Sequence, residues 1–306
     1  MNKAVLSTFI LFLSLPVSPV YCQQANAEIM DSLHLIAPGA TLKKVSGGFT
    51  FTEGPAVDKK GNIYFTDQPN DRIWKYSTNG KLSLFMEKTG RSNGLYIDRK
   101  GNLVSCADEN NELWLISPAK KVTILLSGFQ GHRFNGPNDL WIDSKGGIYF
   151  TDPYYQRDYW DRKEPDIKSR NVYYLPKGKK EAILVEDGLV KPNGIVGTPD
   201  GRTLYVADIA AGKTYSYTIL SDGSLADKKL VIQQGSDGMT LDNKGNIYLV
   251  GQGVTIYNPD GIKIGHIPVS ASWTANICFG GRNRHTLFIT AGDAVYTIQM
   301  KVKGVE

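Results

Sequence analysis

The feature that most constrains the fold of this 306-residue chain is a short segment that recurs along most of its length. The segment DKKGNIYFTD at residues 58–67 returns five more times with substitutions. The later copies are DRKGNLVSCAD (98–108), DSKGGIYFTD (143–152), TPDGRTLYVAD (198–208), DNKGNIYLV (242–250) and a degenerate GRNRHTLFITA (281–291). The first glycines of the five clear copies are Gly61, Gly101, Gly146, Gly201 and Gly245. Successive glycines in this series are 40, 45, 55 and 44 residues apart. A period of this length is typical of one four-stranded propeller blade.

Each copy predicts a β-hairpin. An apolar strand such as DLWID (139–143) comes first, and an Asp/Asn-Lys-Gly turn follows, in which glycine tolerates a positive φ. A strand rich in β-branched and aromatic residues comes next, and several copies add a third alternating strand, as in RIWKYS (72–77). The sequence therefore predicts an all-β fold, a six-bladed β-propeller of about 24 strands around a central channel. Residues 28–306 are predicted to form this single domain.

Composition excludes several classes of protein. Hydrophobic residues make up 41% of the chain, which is too much for a disordered protein. The 32 glycines follow no Gly-X-Y period, so a collagen is excluded. The net charge of +5 comes from interspersed acidic and basic residues. We therefore expect no nucleic-acid partner, since proteins of that class gather Lys and Arg in one patch or tail.

The first 27 residues have the pattern of a secretory signal peptide. Lys3 is followed by an apolar stretch at 4–15, and Ala25 and Ala27 place small side chains before the expected cleavage site. Cleavage after Ala27 is favoured over cleavage after Cys22. The apolar stretch is too short to span a bilayer, and no later stretch approaches the length that spanning needs. We expect an exported protein, periplasmic or secreted, with no membrane partner after cleavage.

Two cysteines, Cys106 and Cys278, remain after the predicted cleavage. Both lie in apolar, strand-like stretches far apart in the sequence. One disulfide and two buried thiols are both compatible with an oxidising compartment. The chain has no C-x-x-C spacing that would indicate a metal–thiolate site.

Six polar residues share one position relative to the turns. Counting back five residues from the start of each turn reaches Glu53, Asn93, Asn138, Asn193, Asp237 and Asn276. Equivalent positions in a ring of blades lie at one level around its axis, so these side chains are predicted to converge near the channel mouth. Two carboxylates and four amides form an all-oxygen donor set, which favours Ca²⁺, with Mg²⁺ and Mn²⁺ as alternatives, and argues against a site specific for Zn²⁺. Zn²⁺ stays among the alternative ions. Asn and Asp are also common turn formers, but that explanation accounts neither for Glu53 nor for the shared position.

Five motifs carry a family resemblance over residues 45–300, nearly the whole mature chain. They are FTEGPAVD, RFNGPNDLWID, PNGIVGTPDGRTLYVAD, SDGMTLDNKGNIYL and CFGGRNRHTLFIT. As an ordered set they resemble the gluconolactonase, regucalcin and senescence-marker-protein family of six-bladed propellers. The resemblance implies one catalytic divalent metal in the channel. Its ligands would be Glu53, Asn138, Asn193 and Asp237.

The same resemblance implies where substrate is bound. In some members of the family the asparagine that matches Asn138 contacts substrate more than metal. The family's Arg in the R-F-N segment matches Arg133, although Gly136 and Pro137 lengthen the segment before Asn138 relative to the animal members. Further candidate substrate contacts are Asn93, His132 and Asn276. An exposed loop position is the alternative for His132.

The segment at 153–170 is the longest interruption of the repeat and carries four aromatic residues among mixed charges. It is either a lid that shapes the choice of substrate or a surface excursion packed on its own Tyr and Trp side chains. Trp273 and Phe134 are likewise open between pocket wall and core.

The resemblance and the donor set together predict a metal-dependent hydrolase that opens a lactone ring, with a sugar lactone such as gluconolactone favoured. Asp237 would act as a general base on water or as a nucleophile, and the sequence leaves both routes open. The alternatives are hydrolysis of a phosphoester or organophosphate on the same metal site, and a non-catalytic ligand-binding propeller. A serine hydrolase is disfavoured because the chain has no G-x-S-x-G motif. The expected partner is a small-molecule lactone or ester, and the oligomeric state is left open.

Overall fold

The computed structural model describes Met1 and residues 28–305. Apart from Met1, the predicted signal peptide at residues 1–27 lies outside the described residues. Within them the chain forms 25 β-strands and one short 3₁₀ helix, η1 (Gln68–Asn70). No helix in this described part is long and apolar enough to cross a bilayer.

Six antiparallel sheets form the blades of a propeller, with four strands in each blade. The first strands of the blades are β3 (Thr52–Val57), β7 (Ser92–Ile97), β11 (Leu140–Ile142), β15 (Pro192–Gly197), β19 (Met239–Leu241) and β23 (Thr274–Gly280). The second strands are β4 (Ile63–Asp67), β8 (Leu103–Ala107), β12 (Ile148–Asp152), β16 (Thr203–Asp208), β20 (Ile247–Gly251) and β24 (Thr286–Ala291). The third strands are β5 (Arg72–Tyr76), β9 (Glu112–Ile116), β13 (Asn171–Leu175), β17 (Lys213–Ile219), β21 (Gly253–Tyr257) and β25 (Ala294–Gln299). The fourth strands are β6 (Leu82–Glu87), β10 (Val122–Leu126), β14 (Ile183–Glu186), β18 (Leu225–Ile232), β22 (Lys263–Ile267) and β2 (Lys43–Gly47).

The ring closes through its first and last blades. The first strand of each blade contacts that of the next, and β23 of the sixth blade contacts β3 of the first. The sixth blade takes its fourth strand, β2, from the N-terminal side of the domain, with Lys43 opposite Thr297 and Gly47 opposite Ala294 in β25. A short additional strand, β1 (Met30–Asp31), pairs with β22 on the fifth blade. The predicted six-bladed propeller is confirmed, and its closure leaves only short, protected strand edges.

The repeated turn joins the first and second strands of a blade, and its sequence explains its shape. In the first copy, Oδ1 of Asp58 accepts hydrogen bonds from the backbone N–H groups of Lys60 at 2.8 Å and Asn62 at 2.9 Å. Gly61 has a φ of 90°, which a residue with a Cβ rarely adopts. The same bonds recur at Asp98, Asp143 and Asp242, so these hairpins start in the same register.

The core lies between the blades, where apolar side chains of neighbouring sheets meet. Phe65 of the first blade, for example, packs against Phe288 of the sixth with ring centroids 5.5 Å apart. Cys106 and Cys278 are buried in two different clusters of this core, and no disulfide joins them in the described part of the chain. Of the two alternatives for the cysteines, the structure therefore has two buried thiols.

Candidate functional site

The residue that follows the predicted site residue controls how closely neighbouring first strands approach. A Cβ atom on Gly54 would lie 2.1 Å from the carbonyl oxygen of Asn93 in the next blade. One on Gly94 would lie 2.5 Å from the carbonyl oxygen of Asn138 in the blade after that. No side chain fits at such distances, so glycine is required. These close approaches hold the predicted site residues at one level around the axis.

A cavity of about 230 Å³ opens where the first strands meet. Its lining residues are Phe51, Glu53, Gln68, Asn93, Asn138, Tyr155, Arg157, Ile209, Asp237 and Trp273. Four of the six residues predicted to converge are among them, and each of the four comes from a different blade. The remaining lining residues come from loops at the same face, from η1 and from the 153–170 segment.

Two acidic residues of this set interact in a buried environment. Burial raises the pKa of Glu53 well above its usual range, and the nearby charge of Asp237 raises it further. Burial also raises the pKa of Asp237 to about 6, against the lowering effect of hydrogen bonds from Trp273 and Asn193. Two carboxylates placed together away from water are unfavourable unless a proton or a cation compensates their charge. The pair is therefore suited to hold a cation.

The asparagines supply the other oxygens that a hard cation needs. Oδ1 of Asn93 is buried and accepts no hydrogen bond from the described residues. Such an oxygen is costly unless a ligand completes its interactions. No group of three or more His, Cys, Asp or Glu side chains within residues 28–305 is arranged to hold a metal ion. A cation here would need carboxamide oxygens beside Glu53 and Asp237, and the residues present can provide them.

The two predicted residues that do not line the cavity lie directly against it. Asn193 is buried, and its Nδ2 donates a hydrogen bond of 3.0 Å to the hydroxyl of Tyr155. The side chain of Asn276 hydrogen-bonds to Glu53, and its Nδ2 lies 3.5 Å from Oδ2 of Asp139. All six residues of the shared position are thus gathered at one site.

Asp139 is a third buried carboxylate at this site, and the sequence interpretation missed it. Its charge adds to the rise in the pKa of Glu53. The repeat did contain a signal for it. Four blades carry glycine directly after the shared position, whereas the third blade carries Asp139 after Asn138. A polar residue that replaces a close-packing glycine is a departure that the fold alone does not require.

The structure does not bring Arg133 or His132 to the cavity. Both residues are exposed. The guanidinium of Arg133 pairs instead with Asp161 at 3.0 Å and with Asp166 at 3.3 Å. Arg133 therefore ties its own loop to the 153–170 segment.

The basic side chain at the cavity is Arg157, which the 153–170 segment contributes together with Tyr155. The sequence offered no signal for these two residues, because the segment lies outside the repeat. The structure also decides between pocket wall and core for the two aromatic residues that the sequence left open. Trp273 lines the cavity, whereas Phe134 is fully buried in the core against Phe150.

Comparison with known proteins agrees with this architecture. A family model described as the SMP-30/Gluconolactonase/LRE-like region matches residues 51–293. A gluconolactonase from Zymomonas mobilis subsp. mobilis is 29% identical over 296 residues, which cover 86% of this chain and 82% of that protein. The lactonohydrolase oryL from Aspergillus oryzae is 29% identical over 216 residues, or 60% of this chain and 48% of that protein.

Two solved structures share the fold. A gluconolactonase from Xanthomonas campestris superimposes with a TM-score of 0.82 at 25% identity, covering 89% of this chain and 94% of that one. Regucalcin from Agrobacterium tumefaciens, described as a calcium-binding protein, superimposes with a TM-score of 0.72 at 19% identity over 87% of this chain and 95% of that one. At that identity the second likeness concerns the fold alone.

Proposed function

Since this chain belongs to the SMP-30/gluconolactonase/LRE-like family, we propose that it is a lactone hydrolase that depends on a divalent cation. The observation that carries the proposal is the buried carboxylate pair of Glu53 and Asp237, set among asparagines at one cavity. The gluconolactonase relative that aligns over most of both chains supports a lactone as substrate. A sugar lactone such as gluconolactone is the favoured substrate.

The proposed cation ligands are the residues that the resemblance implied, and they come from four different blades. They are Glu53, Asn138, Asn193 and Asp237. The donor set contains oxygen and no imidazole or thiolate, so Ca²⁺ is the favoured ion. Mg²⁺ and Mn²⁺ use the same kind of donor, whereas Zn²⁺ sites usually include nitrogen or sulfur. The unsatisfied Oδ1 of Asn93 is left to accept a hydrogen bond from a water or a substrate hydroxyl.

When bound, the cation would supply a Lewis acid for the lactone carbonyl. Asp237 is the residue that we propose to act on the substrate. Its Oδ2 accepts the indole N–H of Trp273 at 2.6 Å, which holds the carboxylate in one orientation. A pKa of about 6 leaves this group ionised at neutral pH. The ionised carboxylate can then take a proton from an attacking water or attack the carbonyl carbon itself.

We also propose that the protein is exported. The support is the signal-peptide pattern of residues 1–27, with cleavage after Ala27. Edman sequencing of protein recovered from outside the cytoplasm tests this. A first residue of Glu28 is the expected result, and an intact N-terminus would contradict it.

The function is tested by following lactone hydrolysis with a pH indicator before and after removal of metal by EDTA. Glucono-, galactono- and simple aliphatic lactones are compared, and a phosphotriester is included as a further substrate. We expect lactone hydrolysis that EDTA abolishes and Ca²⁺ restores. Activity on the phosphotriester alone would replace the lactone proposal, and metal binding without any turnover would indicate a ligand-binding propeller.

A further inference from the structure

The 153–170 segment is firmly attached to the third blade and to its neighbour, and it stands at the channel mouth. Trp160 is buried, and its Nε1 donates a hydrogen bond of 2.9 Å to the carbonyl oxygen of Asp108. Arg162 is also buried, and its Nη2 donates one of 2.7 Å to the carbonyl oxygen of Asn135. These buried contacts fix the part of the segment that carries Arg157 to the cavity.

Asp108 follows directly after the second strand of its blade, which ends at Ala107. In three other blades the second strand itself ends in an aspartate, and that aspartate binds the loop before the first strand of its own blade. Oδ2 and Oδ1 of Asp152, for example, accept the backbone N–H groups of Asn135 at 2.9 Å and Gly136 at 2.8 Å.

In the second blade, the corresponding loop is held from the neighbouring blade instead. Oδ1 of Asp71 accepts the backbone N–H groups of Thr89 and Arg91, both at 2.7 Å. The carboxylate of Asp108 is thereby left for other partners.

Those partners are side chains around the cavity. Oδ2 of Asp108 accepts hydrogen bonds from Nε of Arg157 at 2.8 Å, from Nε2 of Gln68 at 3.1 Å and from the hydroxyl of Tyr159. The side chain of Asp108 is only 4% exposed, whereas that of Arg157 is 24% exposed. An arginine held at Nε by a buried acid has its terminal fork fixed in direction.

The remaining nitrogens of this arginine are available to a ligand. The bond to Asp108 uses Nε, and Nη1 and Nη2 of Arg157 make no hydrogen bond to the residues that the structure describes. The carboxylate of Asp108 offsets the charge of the guanidinium. The fork therefore offers hydrogen-bond donors without a net positive charge, which suits a neutral hydroxyl group better than an anion.

Other lining residues of the cavity are apolar and complement this polar wall. Phe51, Ile209 and Trp273 line the same cavity as Arg157 and Gln68. A ligand with polar groups at its edge and C–H groups on its face is complementary to such a lining. A polyhydroxylated ring has this character.

We propose that Arg157 recognises hydroxyl groups of a neutral, polyhydroxylated lactone, and that Asp108 is the positioning residue for Arg157. This inference rests on the proposed lactone hydrolase function and names the residues that select the substrate at that site. Arg157, rather than Arg133, is then the arginine that determines specificity.

The test compares two lactones of the same ring size, glucono-δ-lactone with hydroxyl groups and δ-valerolactone without them. For Arg157→Ala we expect KM for glucono-δ-lactone to rise about 10-fold or more, because the hydrogen bonds that the guanidinium donates to the substrate hydroxyl groups are lost. The kinetic constants for δ-valerolactone should stay within about 3-fold of the wild type. The matched control is Arg72→Ala, which removes an exposed arginine paired with Glu87 on the outer part of the first blade. This variant should leave the kinetic constants for both lactones unchanged.

A double-mutant cycle tests the role of Asp108. Asp108→Asn should raise KM for glucono-δ-lactone by a smaller factor than Arg157→Ala does. The double variant should have the same KM as Arg157→Ala alone. Strict additivity of the two effects would show that Asp108 acts on the site independently of Arg157, which would overturn its positioning role. Thermal unfolding of each variant identifies any loss of activity that comes from loss of fold.

Calorimetric binding of anhydroglucitol, a cyclic polyol without an ester bond, separates this inference from the proposed function. Binding that Arg157→Ala weakens about 10-fold would support the inference even if no lactone were hydrolysed. Hydrolysis of both lactones with KM and polyol binding unchanged in Arg157→Ala would overturn the inference and leave the function standing. A greater effect of Arg157→Ala on the carboxylated glucarolactone would also overturn it, since charge would then be what Arg157 recognises.

Discussion

The indole Nε1 of Trp273 donates a hydrogen bond of 2.6 Å to Oδ2 of Asp237, across the boundary between the fifth and sixth blades. Asp237 precedes β19, and Trp273 precedes β23. The bond lowers the pKa of Asp237, against burial, which raises it to about 6. The tryptophan therefore orients the carboxylate and keeps it ionised at neutral pH.

Trp273→Phe should raise the pKa of Asp237 by about one to two units, because a hydrogen bond to a charged group contributes about 1.5–3 kcal/mol. The acidic limb of the pH profile of kcat/KM should shift upward accordingly. The measurement is lactone hydrolysis from pH 4 to 9 for wild type and variant at saturating Ca²⁺. An acidic limb that stays in place would show that the indole is a pocket wall only.

Asp237→Asn should lower kcat by at least about 10²–10⁴-fold, since the amide can neither accept the proton of water nor attack the carbonyl. The fold should persist, because the substitution keeps the shape of the side chain. Circular dichroism and the melting temperature check the fold beside the rate. Turnover at the wild-type rate would remove Asp237 from the mechanism.

Glu53→Gln should weaken Ca²⁺ binding by at least about 10-fold, because the number of charged ligands sets the affinity of such sites. Isothermal calorimetry on the EDTA-treated protein measures this. Glu87→Gln is the matched control, since Glu87 is an exposed carboxylate of the same blade that pairs with Arg72. Equal affinities in Glu53→Gln and wild type would exclude Glu53 as a ligand.

Calcium should bind more tightly as pH rises from 5 to 7 and should release protons on binding. The folded pKa of Asp237 is raised to about 6 and that of Glu53 is also raised, so the metal-free folded state holds these protons more strongly than the unfolded chain. The contribution of these protons to stability is fully present below the unfolded pKa values near 4, and that of Asp237 is lost as pH rises through about 6. A cation reverses this loss.

Two measurements check this linkage. Calorimetry at pH 6 in buffers of different ionisation enthalpy should report proton release on Ca²⁺ binding. Differential scanning calorimetry should show that Ca²⁺ raises Tm more at pH 7 than at pH 5. An equal rise at both pH values would mean that the two carboxylates do not compensate the charge of the ion.

Gly54→Ala should destabilise the protein by at least about 3 kcal/mol, because its Cβ would lie 2.1 Å from the carbonyl oxygen of Asn93. Gly101→Ala is the matched control. Gly101 also has a positive φ, of 85°, but a Cβ at this position would have no atom within 4 Å, so only about 1–2 kcal/mol of backbone strain is expected. Urea unfolding measures the free energy of unfolding of both variants. Similar losses in the two variants would show that the close approach of the first strands does not limit stability.

Much of this fold follows from local information that the sequence repeats. The Asp58 turn is closed by hydrogen bonds within five residues. The glycine at the position of Gly61 has a positive φ in all five clear copies of the motif. The repeat spacing then predicts the number of blades and the shared position of residues such as Glu53 and Asn193. These predictions needed no knowledge of distant contacts, because a ring of equivalent units places equivalent residues at equivalent points.

The specific chemistry around that ring depends on contacts between residues far apart in the sequence. Asp108 and Arg157 are 49 positions apart, and Trp273 and Asp237 are 36 apart. For neither pair does the sequence around one residue indicate which residue will be its partner. The 153–170 segment lies outside the repeat, so the position of Arg157 in the fold could not be predicted from the repeat register. The family resemblance pointed to Arg133 instead. Such pairs form only when neighbouring blades have packed side by side at the channel mouth.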